Sequence, residues 1–102
     1  MTKADIVDHI ASGTGLTKVE TEAVVDGFIQ TVIQALKECR NIEIRGFGSF
    51  RTKKRKGRMA RNPRTGTAVK VEDHYVPVFK VSKELKTTVN EHLLKIQPPT
   101  IQ

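Results

Sequence analysis

The chain has no tryptophan, one tyrosine and four phenylalanines in 102 residues, so aromatic side chains can anchor only a small core. A single cysteine, Cys39, excludes an internal disulfide framework. Its place near a helix end reads as a small buried hydrophobe rather than a nucleophile. No apolar run approaches the roughly 20 residues of a membrane-spanning helix, so no membrane partner is expected. The opening Met1-Thr2-Lys3-Ala4-Asp5 is polar and carries no mark of a secretion signal. His9, His74 and His92 stand far apart and in no metal-ligand spacing with Cys39, so neither metal nor cofactor is expected. With no cluster suited to catalysis, an enzyme acting on a small-molecule substrate is not expected either. These absences lead to the expectation of a soluble, intracellular protein of one domain.

Carboxylates are also missing from one long stretch. Between Arg51 and Lys70 there are nine basic residues (Arg51, Lys53, Lys54, Arg55, Lys56, Arg58, Arg61, Arg64 and Lys70) and no acidic one. The other nine Lys and Arg residues share the rest of the chain with all eleven Asp and Glu. The whole chain is therefore +7, while everything outside this stretch sums to −2. A slightly acidic body carries one strongly basic segment, and single-sign blocks suit surfaces that face a polyanion.

The periodicity gives the order of elements. Thr2 with Asp5 forms a capping box ahead of a short helix carrying Ile6, Val7, Ile10 and Ala11. Ser12-Gly13-Thr14-Gly15 is expected to end it. Thr17-Lys18-Val19-Glu20 caps a second helix that is apolar around much of its circumference (Val19, Ala23, Val24, Val25, Phe28, Ile29, Val32, Ile33, Ala35, Leu36). The first helix is too short to cover so wide a surface, which predicts a dimer. Ile42-Glu43-Ile44-Arg45 then alternates, Gly46-Phe47-Gly48 turns, and Ser49-Phe50-Arg51 resumes extended chain. Phe47 and Phe50 are expected to pack the sheet on the helices. Tyr75 to Val81 returns as a strand, with Pro77 at an edge or irregularity. Ser82 caps a last helix bearing Leu85, Val89, Leu93 and Ile96. The expected domain is 1–96, followed by a tail, 97–102, to which no role is assigned.

Between these strands, about residues 52–74 form a hairpin with Pro63 at or near its tip, marked by Asn62-Pro63-Arg64-Thr65-Gly66. It holds too few apolar residues for a core. An arm of about ten residues per strand would reach roughly 33 Å. Its unopposed cations suit a phosphate backbone. The tip sets a rigid apolar ring among arginines and an amide, a combination able to wedge a base step and to read the minor groove. Ordinary turn chemistry favours the same residues, so for Pro63 both readings stand.

Arg61-Asn62-Pro63-Arg64-Thr65-Gly66 and Gly46-Phe47-Gly48-Ser49-Phe50 resemble the two signature stretches of the bacterial HU and integration host factor family of histone-like proteins. Ile42-Glu43-Ile44-Arg45 and Tyr75-Val76-Pro77 look most like its β-subunit branch. Members of that family are themselves standing examples of minor-groove binding with apolar wedges, so this mechanism enters through the resemblance. The resemblance implies an α+β fold: two N-terminal helices, an antiparallel sheet with a long protruding β-ribbon arm, and a C-terminal helix. It also implies an intertwined dimer, either a homodimer or a heterodimer with a related subunit, that binds, bends and condenses double-stranded DNA in the nucleoid. On that likeness, Pro63 of each arm would intercalate. The implied DNA contacts are Lys53, Lys54, Arg55, Lys56, Arg58, Arg61, Asn62, Arg64 and Lys70 on the arm. On the body they are Lys3, Arg45, Lys83 and Lys86. Met59-Ala60 departs from the family, which commonly has a glycine there.

The alternative is RNA binding or a structural place in a ribonucleoprotein. Arg45-Gly46-Phe47-Gly48 matches the opening of the RNA-recognition-motif signature. Ser49 then stands where that signature needs an aromatic, and two helices precede the first strand.

Overall fold

The computed structural model of the chain describes residues 1–96. Eight elements follow one another: α1 (Lys3–Thr14), α2 (Lys18–Lys37), β1 (Ile42–Ile44), β2 (Gly48–Arg55), β3 (Arg58–Arg61), β4 (Ala68–Val71), β5 (His74–Val81) and α3 (Lys83–Ile96). The fold is α+β, with the expected order of helices, sheet, arm and final helix. Its contacts divide the chain into a helical unit, Met1–Ala35, and a second unit beginning at Leu36.

In the helical unit both capping boxes form. The Thr2 hydroxyl accepts the Asp5 amide at 3.3 Å, and the Asp5 carboxylate accepts the Thr2 amide at 2.8 Å. The Thr17–Glu20 pair repeats this at 3.1 Å in both directions. Hydrogen bonds from the Thr2 backbone and then its side chain hold the Asp5 carboxyl below its ordinary range. Those from the Thr17 side chain and then its backbone do the same for Glu20. The Ser12–Gly15 stretch ends α1 as expected, with Gly13 still inside the helix. The helix runs to Thr14 and is capped by Gly15, whose φ of 78° makes a left-handed cap and whose N–H donates to Ala11 O at 3.0 Å. A glycine within a final turn weakens a helix without stopping it.

In the second unit β1, β2 and β5 form an antiparallel sheet in the order β1-β2-β5, and β3 pairs with β4 as a separate ribbon. Pro77 lies on β5, an edge strand with β2 on one side only, where it stands opposite Thr52. The two glycines of the turn have different work. Gly46 takes φ 80°, and Phe47 N–H closes the turn on Ile44 O at 3.0 Å. Gly48 is buried, and a Cβ there would come within 2.7 Å of the Phe79 ring. That vacancy lets Phe79 lie between Phe47 and Phe50, with ring centroids 5.1 and 4.7 Å apart. Phe50 is half-buried, whereas Phe47 remains 42% exposed, so the expectation of a core residue holds less well for Phe47.

Cys39 corrects the sequence reading outright. It is exposed, sits at φ 56° and donates its N–H to Leu36 O at 3.2 Å. The residue that unwinds the end of α2 must leave helical space, and at this position that residue is Cys39 rather than a glycine. The Ser82 hydroxyl accepts the Leu85 amide at 3.0 Å and caps α3.

Buried apolar side chains are scarce. Among the described residues only Val7, Ala11 and Ala35 qualify. Val24 is 67% exposed, Phe28 49% and Leu93 44%. A single chain therefore leaves most of its large apolar side chains in water. The tail 97–102 lies outside the described residues.

Candidate nucleic-acid interface

Alternation along paired strands sorts the charges of the second unit onto faces. The opposed pairs Ser49–Lys80, Arg51–Val78, Lys53–Val76 and Arg55–His74 share one face, joined from β1 by Glu43 opposite Ser49. Phe50, Thr52 and Lys54 share the other with Phe79, Pro77 and Tyr75. One face of the sheet is thus basic and the other largely apolar. Among the expected contact residues, Lys53 and Arg55 come together on the basic face. Lys54 lies on the opposite side, across from Tyr75. Arg51, part of the basic stretch but not among the implied contacts, and Lys80, which sequence reasoning does not single out, complete the basic face. Strand alternation carried through to Lys80 was the signal available.

The start of α3 adjoins this face. Ser82 N–H donates to Phe47 O at 2.9 Å, which ties the helix N-terminus to the turn holding Arg45. Arg45, Arg51, Lys80 and Ser82 line one recess together with Glu43 and Glu84. Lys83 and Lys86 lie exposed in the first turn of α3. Lys3 belongs to the helical unit and is already engaged, 2.8 Å from Asp26 and 3.9 Å from Glu22. The hydrogen bond to Asp26, then the Asp26 charge, raises its pKa, so Lys3 is held as a cation.

The arm is not one continuous ribbon. Both strands break at matching points, Lys56–Gly57 and Glu72–Asp73, between the β2–β5 base and the β3–β4 outer ribbon. At the break Gly57 N–H donates to the Asp73 carboxylate at 2.6 Å. A Cβ on Gly57 would collide with the Val71 carbonyl and come within 2.8 Å of the Glu72 backbone. Beyond it, Arg58 opposes Val71, while Met59 and Arg61 share a face with Lys70 and Ala68. Met59-Ala60, the departure from the family pattern, sits in regular register opposite Lys70 and Val69. Lys70 is 3.6 Å from Glu72.

The tip is closed by its own hydrogen bonds. Asn62 N–H donates to Thr67 O at 2.8 Å and Gly66 N–H to Asn62 O at 2.7 Å, with Gly66 at φ 71°. The Asn62 side-chain oxygen accepts the Arg64 amide at 2.9 Å. Pro63 and Arg64 are exposed at the end of this loop. Pro63 has no N–H to contribute, and the surrounding bonds hold the turn without drawing on its ring.

A match to the family model described as bacterial DNA-binding protein spans residues 1–90. The chain belongs to this family. Integration host factor subunit beta of Marinobacter nauticus is 44% identical over 96 residues, covering 93% of this chain and 98% of that one. DNA-binding protein HU of Lactococcus lactis is 40% identical over 87 residues, covering 85% and 96%. Among solved structures, the Anabaena HU–DNA cocrystal superposes with a TM-score of 0.79 at 31% identity, covering 97% of this chain and 100% of that one. The HU and integration host factor likeness therefore extends over both helices, the sheet, the arm and α3. The RNA reading finds no support in these relatives.

Proposed function

We infer that the chain is an architectural protein of the bacterial nucleoid, in the cytoplasm, that works as a dimer to bind and bend double-stranded DNA and has no catalytic role. Membership of the HU and integration host factor family supports this reading, and the observation that carries it is the arm. Two strands with cations on both faces end in a self-closed loop that presents Pro63 between Asn62 and Arg64. The basic face of Arg51, Lys53, Arg55 and Lys80 continues towards the root of that arm, so phosphates can be met along one surface. In this reading Arg55, Lys56, Arg58, Arg61, Arg64 and Lys70 meet the backbone, Asn62 and Arg64 sit in the minor groove, and Pro63 enters a base step. Lys53, Arg45, Lys83 and Lys86 meet phosphates nearer the sheet, and Lys54 does so from the opposite side. Lys3 contributes only by giving up Asp26.

Dimerisation is supported by the scarcity of buried apolar side chains. A homodimer and a heterodimer with a related subunit both satisfy it. The test is duplex binding at several salt concentrations with the bend followed by energy transfer between labelled ends. If each dimer neutralises about six to ten phosphates, affinity falls roughly 10³–10⁵-fold between about 50 and 200 mM salt. An affinity indifferent to salt, or an unbent duplex in the complex, would refute the reading.

A further inference from the structure

The break in the arm creates a recess of about 440 Å³ lined by Arg55, Lys56, Arg58, Val71 and His74. Three of these are permanent cations. The fourth polar residue is titratable, and its hydrogen bonding makes its two charge states differ sharply. His74 Nδ1 lies 2.9 Å from the Glu72 carbonyl oxygen. A carbonyl only accepts, so Nδ1 must carry the proton, and in the neutral ring Nε2 is left as a bare acceptor. Phosphate oxygens also only accept. A neutral His74 therefore cannot bond a phosphate through Nε2, whereas an imidazolium can donate to it.

We propose that His74, in the recess with Arg55, Lys56 and Arg58, takes up a proton as a DNA phosphate enters, so that duplex binding tightens as pH falls. The inference rests on the DNA-binding reading above and adds a proton to it. The charged groups around His74 agree with an anion as the ligand. Arg55 lies directly opposite on β2, Lys53 is two residues along on the same face, and Lys56 and Arg58 flank the break. The two neighbouring carboxylates are otherwise engaged: Asp73 accepts the Gly57 amide at 2.6 Å, and Glu72 is 3.6 Å from Lys70. Tyr75 and Lys54 occupy the opposite face. Histidine changes charge between about pH 5 and 8, and an arriving negative charge favours its charged form. The sign follows: an imidazolium donates to the phosphate and a neutral ring does not, so the added affinity is present at the acid end of that range and lost towards its alkaline end. One charge-assisted hydrogen bond of this kind makes affinity about tenfold higher at the acid end for each arm engaged.

The experiment follows the imidazole resonances of the whole protein through a pH titration, free, with a duplex, and with inorganic phosphate alone. Calorimetry in buffers of differing ionisation heat counts the protons taken up. His9 and His92 serve as references within the same molecule. The expected result is a His74 titration shifted upwards by the duplex, with proton uptake that vanishes in His74→Gln. In His74→Lys the affinity measured at about pH 6 should persist to about pH 8. Salt-sensitive duplex binding with no His74 shift, or with the same pH slope in His74→Gln, overturns the proton linkage and leaves the DNA reading standing. Loss of duplex binding at every pH would overturn both. An equal shift with inorganic phosphate alone would show that the recess takes any phosphate and would overturn the duplex as its ligand.

Discussion

Single residues carry distinct tasks here, and Pro63 is the plainest case. The loop around it is closed by Asn62, Thr67 and Gly66 backbone bonds and by the Asn62 side chain, none of which uses the proline ring. Pro63→Ala should therefore leave the loop formed and every arm charge in place. Bending a site of about 20–30 base pairs by about 40–90° costs roughly 1–6 kcal/mol, and unstacking a step adds a few more. Removing the wedge should reduce the bend angle and the preference for nicked or mismatched duplexes, while much of the affinity survives. If the ring served only the turn, the variant would bind everything more weakly and bend it as before. Gly57 has a different task, because the opposite strand passes where its side chain would stand. Gly57→Ala should cost about 1–3 kcal/mol of local strain. Faster amide exchange across β3 and β4, with little change in the melting temperature of the body, would register it.

The elements show how far the chain could be read in advance. Both capping boxes were legible because their partners sit three residues apart, as were the 46–48 turn and the Asn62–Gly66 tip. The break in the arm was not, since it depends on Gly57 meeting Asp73 sixteen residues away, which only the strand register brings together. For the same reason Lys53 and Lys54 read alike as neighbours in a basic run, yet pairing sends them to opposite faces. Lys3 looked free because its partner, Asp26, lies twenty-three residues along and a helix away. The caps also set an acid limit. Asp5 and Glu20 are held below their ordinary pKa values, so what they add to α1 and α2 is present above the unfolded carboxylate range. It is lost as pH falls through their lowered folded values. Asp5→Asn with Glu20→Gln should flatten the loss of helicity between about pH 6 and about pH 2 followed by circular dichroism. An unchanged acid limb would assign that loss to other carboxylates.

At the scale of the molecule, one chain is half of a hydrophobic core. Val24, Phe28, Ile33, Phe79, Val89 and Leu93 are each more than a third exposed, far more large apolar surface than a stable lone domain leaves in water. Sedimentation at micromolar concentration should find dimers and no folded monomer. Phe28→Ala should destabilise the assembly by roughly 3–5 kcal/mol if a second subunit buries that ring. A melting temperature that neither moves in this variant nor rises with protein concentration would mean that the ring stays in solvent.

The scarcity of buried side chains also reaches into the life of the chain in a cell. Proteases act on whatever fraction of a protein is open, and a subunit without its mate has little to keep it shut. Copies made in excess of a partner should be short-lived, while paired copies persist. The abundance of this chain would then be set by pairing rather than by synthesis alone, and a matched supply of subunits would be maintained by the destruction of the unmatched ones.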